Sequence, residues 1–241
     1  MLASQNPYPE LLFDGQASAP STPSSGFKKL FVRDSDGALC AIDSSGNVVK
    51  IDNLFTTPSD AGFSWVNQTG ASLSTTDSVL TLTGAATGSG VNFQCRVKTA
   101  PATPWSAVFY VRSILLAKPY NSYGFIFRES GSGKIAVFDI VSGVSAASRF
   151  LRSAKLTNAT TFSAEYQSHQ VYEPMNWFKI EDNGSNRICS ISPDGLNWFA
   201  YHTVTRTDFL TADQFGFCVA GENASTPNFA PIMNILSLKV S

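Results

Sequence analysis

The chain has 241 residues, of which 43% are hydrophobic and only 15% charged, with a net charge of −1. That is enough apolar material for a sizeable core, and the lack of any basic run excludes an electrostatic footprint for nucleic acid or an anionic membrane. Four scattered cysteines, Cys40, Cys95, Cys189 and Cys218, and two histidines, His169 and His202, offer no zinc spacing, and no cofactor is implied.

Residues 1–26 are rich in Pro, Ser and Ala and lack periodicity, so they read as an extended arm or linker. They have neither the basic nor the apolar region of a signal peptide, and no run in the chain reaches transmembrane length. Synthesis in a cytoplasm without export, and no membrane insertion, are expected. Within the arm, Tyr8, Leu11, Leu12 and Phe13 form an apolar island suited to docking on a partner, since such islands commonly order on binding.

Residues 27–54 alternate three short apolar runs, 30–32, 39–42 and 48–51, with turn signals at Asp36-Gly37 and Ser45-Gly46-Asn47. Asp34-x-Asp36-Gly37 lacks the full spacing and terminal Glu of a calcium loop and reads as a hairpin turn. A meander this small cannot bury its own core and is expected to pack on copies of itself. The run A-P-S-T-P-S-S-G, then F-K-K-L-F-V-R-D-S-D-G-A-L-C-A-I-D-S-S-G-N-V, spans roughly residues 18–50. It resembles a segment of tailed-phage fibre and head-fibre proteins, with Cys40 where that segment commonly has Tyr. The resemblance implies a trimeric connector between a virion-attachment end and a distal domain.

Residues 55–62 read as an interdomain hinge, and from 63 to 241 the pattern is that of β-strands throughout. The first strand falls at 78–83. The next, 91–98, sets Val91, Phe93, Cys95 and Val97 against Asn92, Gln94, Arg96 and Lys98, which predicts one buried and one wet face. Residues 105–113 are more continuously apolar, as a central strand would be. A hairpin joins 123–129 to 134–140, and 162–166 follows. The densest signal is 177–198, where strands 177–181 and 187–192 lead into 198–204. The turns between them are Asp182-Asn183-Gly184 and Ser192-Pro193-Asp194-Gly195. Trp177 and Trp198 sit at strand positions and are expected in the core. Strands 215–220 and 232–240 close the chain. About ten to twelve antiparallel strands without an amphipathic helix predict an all-β, two-sheet jelly-roll sandwich. The strand near residue 80 should pair with the last one.

Trp177-Phe178-Lys179-Ile180, leading to Ser192-Pro193-Asp194-Gly195-Leu196-Asn197-Trp198, resembles a pattern of the concanavalin A-like lectin/glucanase superfamily, laminin-G-like jelly rolls included. Phe215-Gly216-Phe217-Cys218-Val219 and the closing strand resemble its C-terminal strand pair. The resemblance covers 63–241. It implies architecture more than function, because the superfamily holds lectins, enzymes and structural modules. Its glycan-cleaving members carry E-x-D-x-E or a near variant on one strand, which sets two carboxylates on one face. Here Glu10, Glu129, Glu165, Glu173, Glu181 and Glu222 include no two at that spacing, so an enzyme is not expected.

Sugar binding needs exposed aromatic platforms beside amide and carboxylate acceptors. The candidates are Tyr120, Asn121 and Tyr123 in K-P-Y-N-S-Y-G, and Gln170, Tyr172, Glu173 and Asn176 in and after H-Q-V-Y-E-P-M-N. The function expected is that of a virion fibre or spike protein. Its arm (1–26) docks on other virion proteins, its connector (27–54) trimerises, and its jelly roll (63–241) binds a host-surface glycan without catalysis. Trimeric display would multiply weak contacts. The alternatives are a purely structural capsid or tail decoration protein and, third, a glycan-degrading enzyme.

Overall fold

The fold is all-β, and no helix occurs among the residues the computed structural model describes, which are 15–25, 27–33, 38–50, 55–85, 90–114, 119–144, 148–221 and 231–241. The chain divides into two units, Met1–Leu54 and Phe55–Ser241.

In the first unit, strands β1 (Gly15–Gln16), β2 (Lys28–Arg33), β3 (Ala38–Asp43) and β4 (Val48–Lys50) form one sheet in that order. β2, β3 and β4 make the expected meander, and β1 adds to β2 in parallel. Phe31, Cys40 and Ile42 share one face and are buried. Residues 15–25 depart from the reading of a free arm: they supply β1, Pro23 is buried, and Ser21 accepts from Lys29 Nζ at 3.0 Å. The turn expected at 34–37 and the docking island Tyr8, Leu11, Leu12 and Phe13 lie outside the described residues.

The second unit is a two-sheet antiparallel jelly-roll sandwich. Its strands are β5 (Ser64–Val66), β6 (Ser72–Thr76), β7 (Val79–Thr83), β8 (Phe93–Thr99), β9 (Trp105–Ile114), β10 (Ser122–Arg128) and β11 (Ile135–Ser142). They continue with β12 (Arg149–Asn158), β13 (Thr161–Val171), β14 (Trp177–Asp182), β15 (Asn186–Ser192), β16 (Phe199–Thr205), β17 (Gln214–Ala220) and β18 (Ile232–Val240). One seven-stranded sheet runs β13-β12-β11-β10-β17-β8-β5, the other β16-β15-β14-β9-β18-β7-β6. β18 lies between β7 and β9, so the strand near residue 80 does pair with the last.

Every second side chain of each sheet points into the space between them. Phe109, Phe125, Phe178, Phe215 and Phe217 fill that space, with Phe109 and Phe125 centroids 4.2 Å apart. Each such fully buried side chain contributes about 1.5–3 kcal/mol.

The other face of the β8-bearing sheet is also largely dry. Phe93, Cys95, Val97, Ile126, Val137, Leu156 and their neighbours form a second apolar cluster there. The cause is coiling. The Phe93 N–H donates to the Ala159 carbonyl at 2.8 Å, although β8 and the β12–β13 turn are separated by β17, β10 and β11 within the sheet. The Asn67 side chain clamps the same corner, donating to Asn92 Oδ1 and to the Phe93 carbonyl. A coiled sheet hides its own face, as right-handed strand twist allows.

Three expectations are corrected. Of the face expected to be wet over residues 91–98, only Lys98 is exposed, because Asn92, Gln94 and Arg96 are buried too. Gln94 accepts from the Ala85 N–H, and Arg96 pairs with Asp60 at 2.6 Å over the Trp65 ring. Residues 55–62 are not a hinge but a strap on the sandwich. Phe55 packs on Tyr110 and Trp177, while the Thr56 N–H donates to Ser237 Oγ and its carbonyl accepts from Leu238. Trp177 is buried, but under this strap rather than between the sheets, and Trp198 is only half-buried beneath Lys179.

At one flank the outermost strands of the two sheets, β13 and β16, are knitted by side chains. Gln167 Nε2 donates to the Tyr201 carbonyl, and the Tyr201 hydroxyl donates to the Leu151 carbonyl at 2.7 Å.

Candidate functional site

The outer face of the coiled sheet is built of cross-strand rows. One row, read through the strand register, is Cys95, Cys218, Gly124, Asp139, Arg152 and Ser168. At its centre Arg152 Nε and Nη2 donate to the two carboxylate oxygens of Asp139 at 3.0 and 2.7 Å. Both side chains are buried, so the pair is a bidentate, charge-assisted contact with little screening. Gly124 makes room for it: a Cβ there would stand 2.5 Å from the Asp139 Cβ. Cys95 and Cys218 face each other as buried free thiols, and burial raises the Cys218 thiol pKa.

Toward β13 the face opens into a cavity of about 450 Å³, within the roughly 300–1,000 Å³ usual for small-molecule sites. Val141, Phe150 and Arg152 come from β11 and β12. Glu165 and Ser168 stand on β13, while Ser142, Gly143, Val144 and Ser148 flank the β11–β12 connection. Gly143 lets the connection close on Phe150, since a Cβ would lie 2.8 Å from its ring.

Tyr120 completes the wall. Its φ is +62°, a left-handed conformation that costs a non-glycine residue on the order of 1–3 kcal/mol and that clusters at ligand sites. The hydrogen bond from the Tyr120 N–H to the Ser142 carbonyl, returned by the Ser142 N–H to the Asn121 carbonyl, holds it there. The ring is 37% exposed.

Of the residues expected to bind, Tyr120 therefore lies at the cavity. Asn121 and Tyr123 do not reach the surface. Tyr123 is 8% exposed, points edge-on at Phe178, and burial pushes its pKa up to about 12. Asn121 is buried beside it. Gln170 is exposed on β13 and opposite Phe150, two residue pairs beyond the Arg152–Ser168 pair. Tyr172, 86% exposed, and Glu173 stand on the β13–β14 connection away from the cavity. Asn176 is half-buried, its carbonyl accepting from the Val111 N–H. Sequence reasoning missed Phe150, Arg152, Glu165 and Ser168.

A second polar cluster is sealed between the sheets. Arg187 lies over the Phe127 ring at 5.5 Å and donates through Nη2 to the Asp208 carbonyl. Its Nε and Nη1, and His202 Nε2, have no protein partner. Burial and the nearby Arg187 charge lower the His202 pKa, and burial raises the Cys189 thiol to about 12. The space beside them is narrow, and no ligand-sized opening leads to it.

No protein-family model and no curated protein sequence matches the chain. Solved structures do, at the level of fold. A functionally unknown protein from Saccharomyces cerevisiae shares 13% identity over 76% of this chain and 98% of its own, with a TM-score of 0.54. GH43B of a Bacteroides ovatus xyloglucan locus shares 12% identity over 84% of this chain, with a TM-score of 0.52, and the match takes in 46% of that longer protein. The exoplasmic/lumenal domain of VIP36, in a form bound to Ca2+ and Man2, shares 9% identity over 74% of this chain and 80% of its own, at a TM-score of 0.50. The jelly roll of residues 55–241 therefore shares its β-sandwich fold with these structures.

Proposed function

We propose that the jelly roll is a glycan-binding module and that the outer-face cavity beside Tyr120 is its site. The observation that carries this is the strained, partly exposed Tyr120 at the wall of a cavity with a second ring, Phe150, and a carboxylate, Glu165. Rings take the C–H faces of a pyranose, and carboxylate and hydroxyl groups take its hydroxyls. A sugar-bound neighbour with this fold supports the reading.

The mechanism is binding, not hydrolysis. Among the described cavity residues Glu165 is the one carboxylate, and the buried Asp139 is occupied by Arg152. Hydrolysis of a glycoside needs two carboxylates flanking one bond.

The first unit fits a wider role, in which this is a virion fibre or spike protein that displays the jelly roll toward a host surface. The phage-fibre-like segment at roughly 18–50 supports it, with the meander as a trimeric connector and the start of the chain as the attachment end. The test is a glycan array probed with the full chain. Tyr120→Ala should abolish the signal and Tyr172→Ala should leave it. Absence of binding to every glycan refutes the module, and a monomer in light scattering at micromolar concentration refutes the trimer.

A further inference from the structure

The lining of the same cavity narrows the ligand further, and the narrowing rests on the glycan reading above. We infer that the site takes a neutral sugar bearing a methyl group, either the acetamido methyl of an N-acetylhexosamine or the ring methyl of a 6-deoxyhexose, and rejects acidic sugars.

Among the described residues the cavity holds one cation, Arg152, and its charge is matched by the buried Asp139 carboxylate through two hydrogen bonds. What remains is the exposed carboxylate of Glu165, for which no salt bridge is found among the described residues. An acidic sugar would therefore meet a like charge with no unmatched cation among the described lining residues to receive it, and like-charge juxtaposition is how sites exclude wrong ligands. A neutral sugar instead offers hydroxyl donors to that carboxylate.

Val141, paired with Phe150 across the strands, and Val144 line the same cavity as the rings of Tyr120 and Phe150, and Val144 is 72% exposed. A plain hexose, hydroxylated all round, would strand a hydroxyl against these valines. A methyl substituent covers them. A methylene's worth of apolar contact in such a pocket discriminates by about 10–200-fold.

The experiment is calorimetric titration of the full chain with size-matched oligosaccharides: N-acetylhexosamine, 6-deoxyhexose, plain hexose and uronic acid. One or both methyl-bearing sets should bind at least about tenfold tighter than plain hexose, and the uronic set should not bind. Val144→Ser should erase most of the methyl advantage, and Glu165→Gln should admit the uronic set. The two methyl-bearing arms tell the acetamido from the deoxy source. Equal binding of plain hexose, or of uronic acid by the unmodified chain, overturns the inference while leaving glycan binding standing. Failure of all four sets, together with a blank array, removes the glycan reading as well.

Discussion

Two of the buried arginines, Arg152 and Arg187, lie on opposite sides of the coiled sheet, and they are handled in opposite ways. Arg152 lies under the open cavity and is met by a carboxylate through two hydrogen bonds. Arg187 lies between the sheets and is met by one backbone carbonyl and an aromatic face, with two nitrogens unpaired. The contrast teaches where this fold can hold a charge in a fixed place. The paired guanidinium is a rigid element of a recognition surface. The other is an under-satisfied residue whose long apolar stem fills the core.

The largest effect should come from breaking the paired arginine. Arg152→Met strands the buried Asp139 carboxylate and should cost about 3–5 kcal/mol in denaturant unfolding. The double variant Arg152→Met, Asp139→Leu should recover most of that, because an apolar pair of similar volume leaves no stranded charge. A single variant as stable as the parent would mean that the pair does not organise the face. Next is the contrast between the closed and open halves of that face. Leu156→Ala, in the closed cluster, should cost about 2–5 kcal/mol. Val144→Ala, at the open rim, should stay within about 0.5 kcal/mol.

The inter-sheet side has its own signature in alkali. The Tyr123 hydroxyl would lose its proton near pH 10.0 unfolded, and the Cys189 thiol near 9.0, but in the fold each is held up to about 12 by burial. A folded pKa above the unfolded one gives stability that is complete below the unfolded value and is lost as pH rises through the folded one. The melting temperature should therefore hold up to about pH 9 and fall steadily toward 12. Tyr123→Phe should flatten part of that fall. A small effect is expected at the other arginine. Arg187→Met should change stability by less than about 1 kcal/mol, since it removes an underpaired charge and keeps the volume. A loss as large as that of Arg152→Met would show that the sealed cluster holds the sheets together.

The sandwich was legible because most strands keep a two-residue rhythm between turn signals. The 177–204 meander, the 123–140 hairpin and the pairing of the last strand near residue 80 all lie close to where that rhythm puts them. β12 was not legible. In R-F-L-R-S-A-K-L-T-N a charge recurs every third residue, and register shifts at Ser153/Ala154 and Lys155/Leu156 break the alternation in space as well. An arginine that is buried only because a carboxylate meets it from β11 looks, in sequence, like a surface residue. With β12 went Phe150 and Arg152, and with them much of the cavity. Tyr123 failed for a smaller reason. β10 begins at Ser122, one residue earlier than the loop-like K-P-Y-N-S-Y-G suggests, and the pleat then turns Tyr123 inward. Tyr120, still in the turn, stays out.

The side-chain stitching between β13 and β16 bears on solubility at high local concentration. An outermost strand offers a row of unpaired N–H and C=O groups that a neighbouring molecule can extend, which is how β-proteins polymerise. Here Gln167 of β13 already occupies one such group, the Tyr201 carbonyl of β16, while the Tyr201 hydroxyl ties β16 to the Leu151 carbonyl of β12. Gln167→Ala would free that edge carbonyl for a neighbouring strand and should raise aggregation at high concentration.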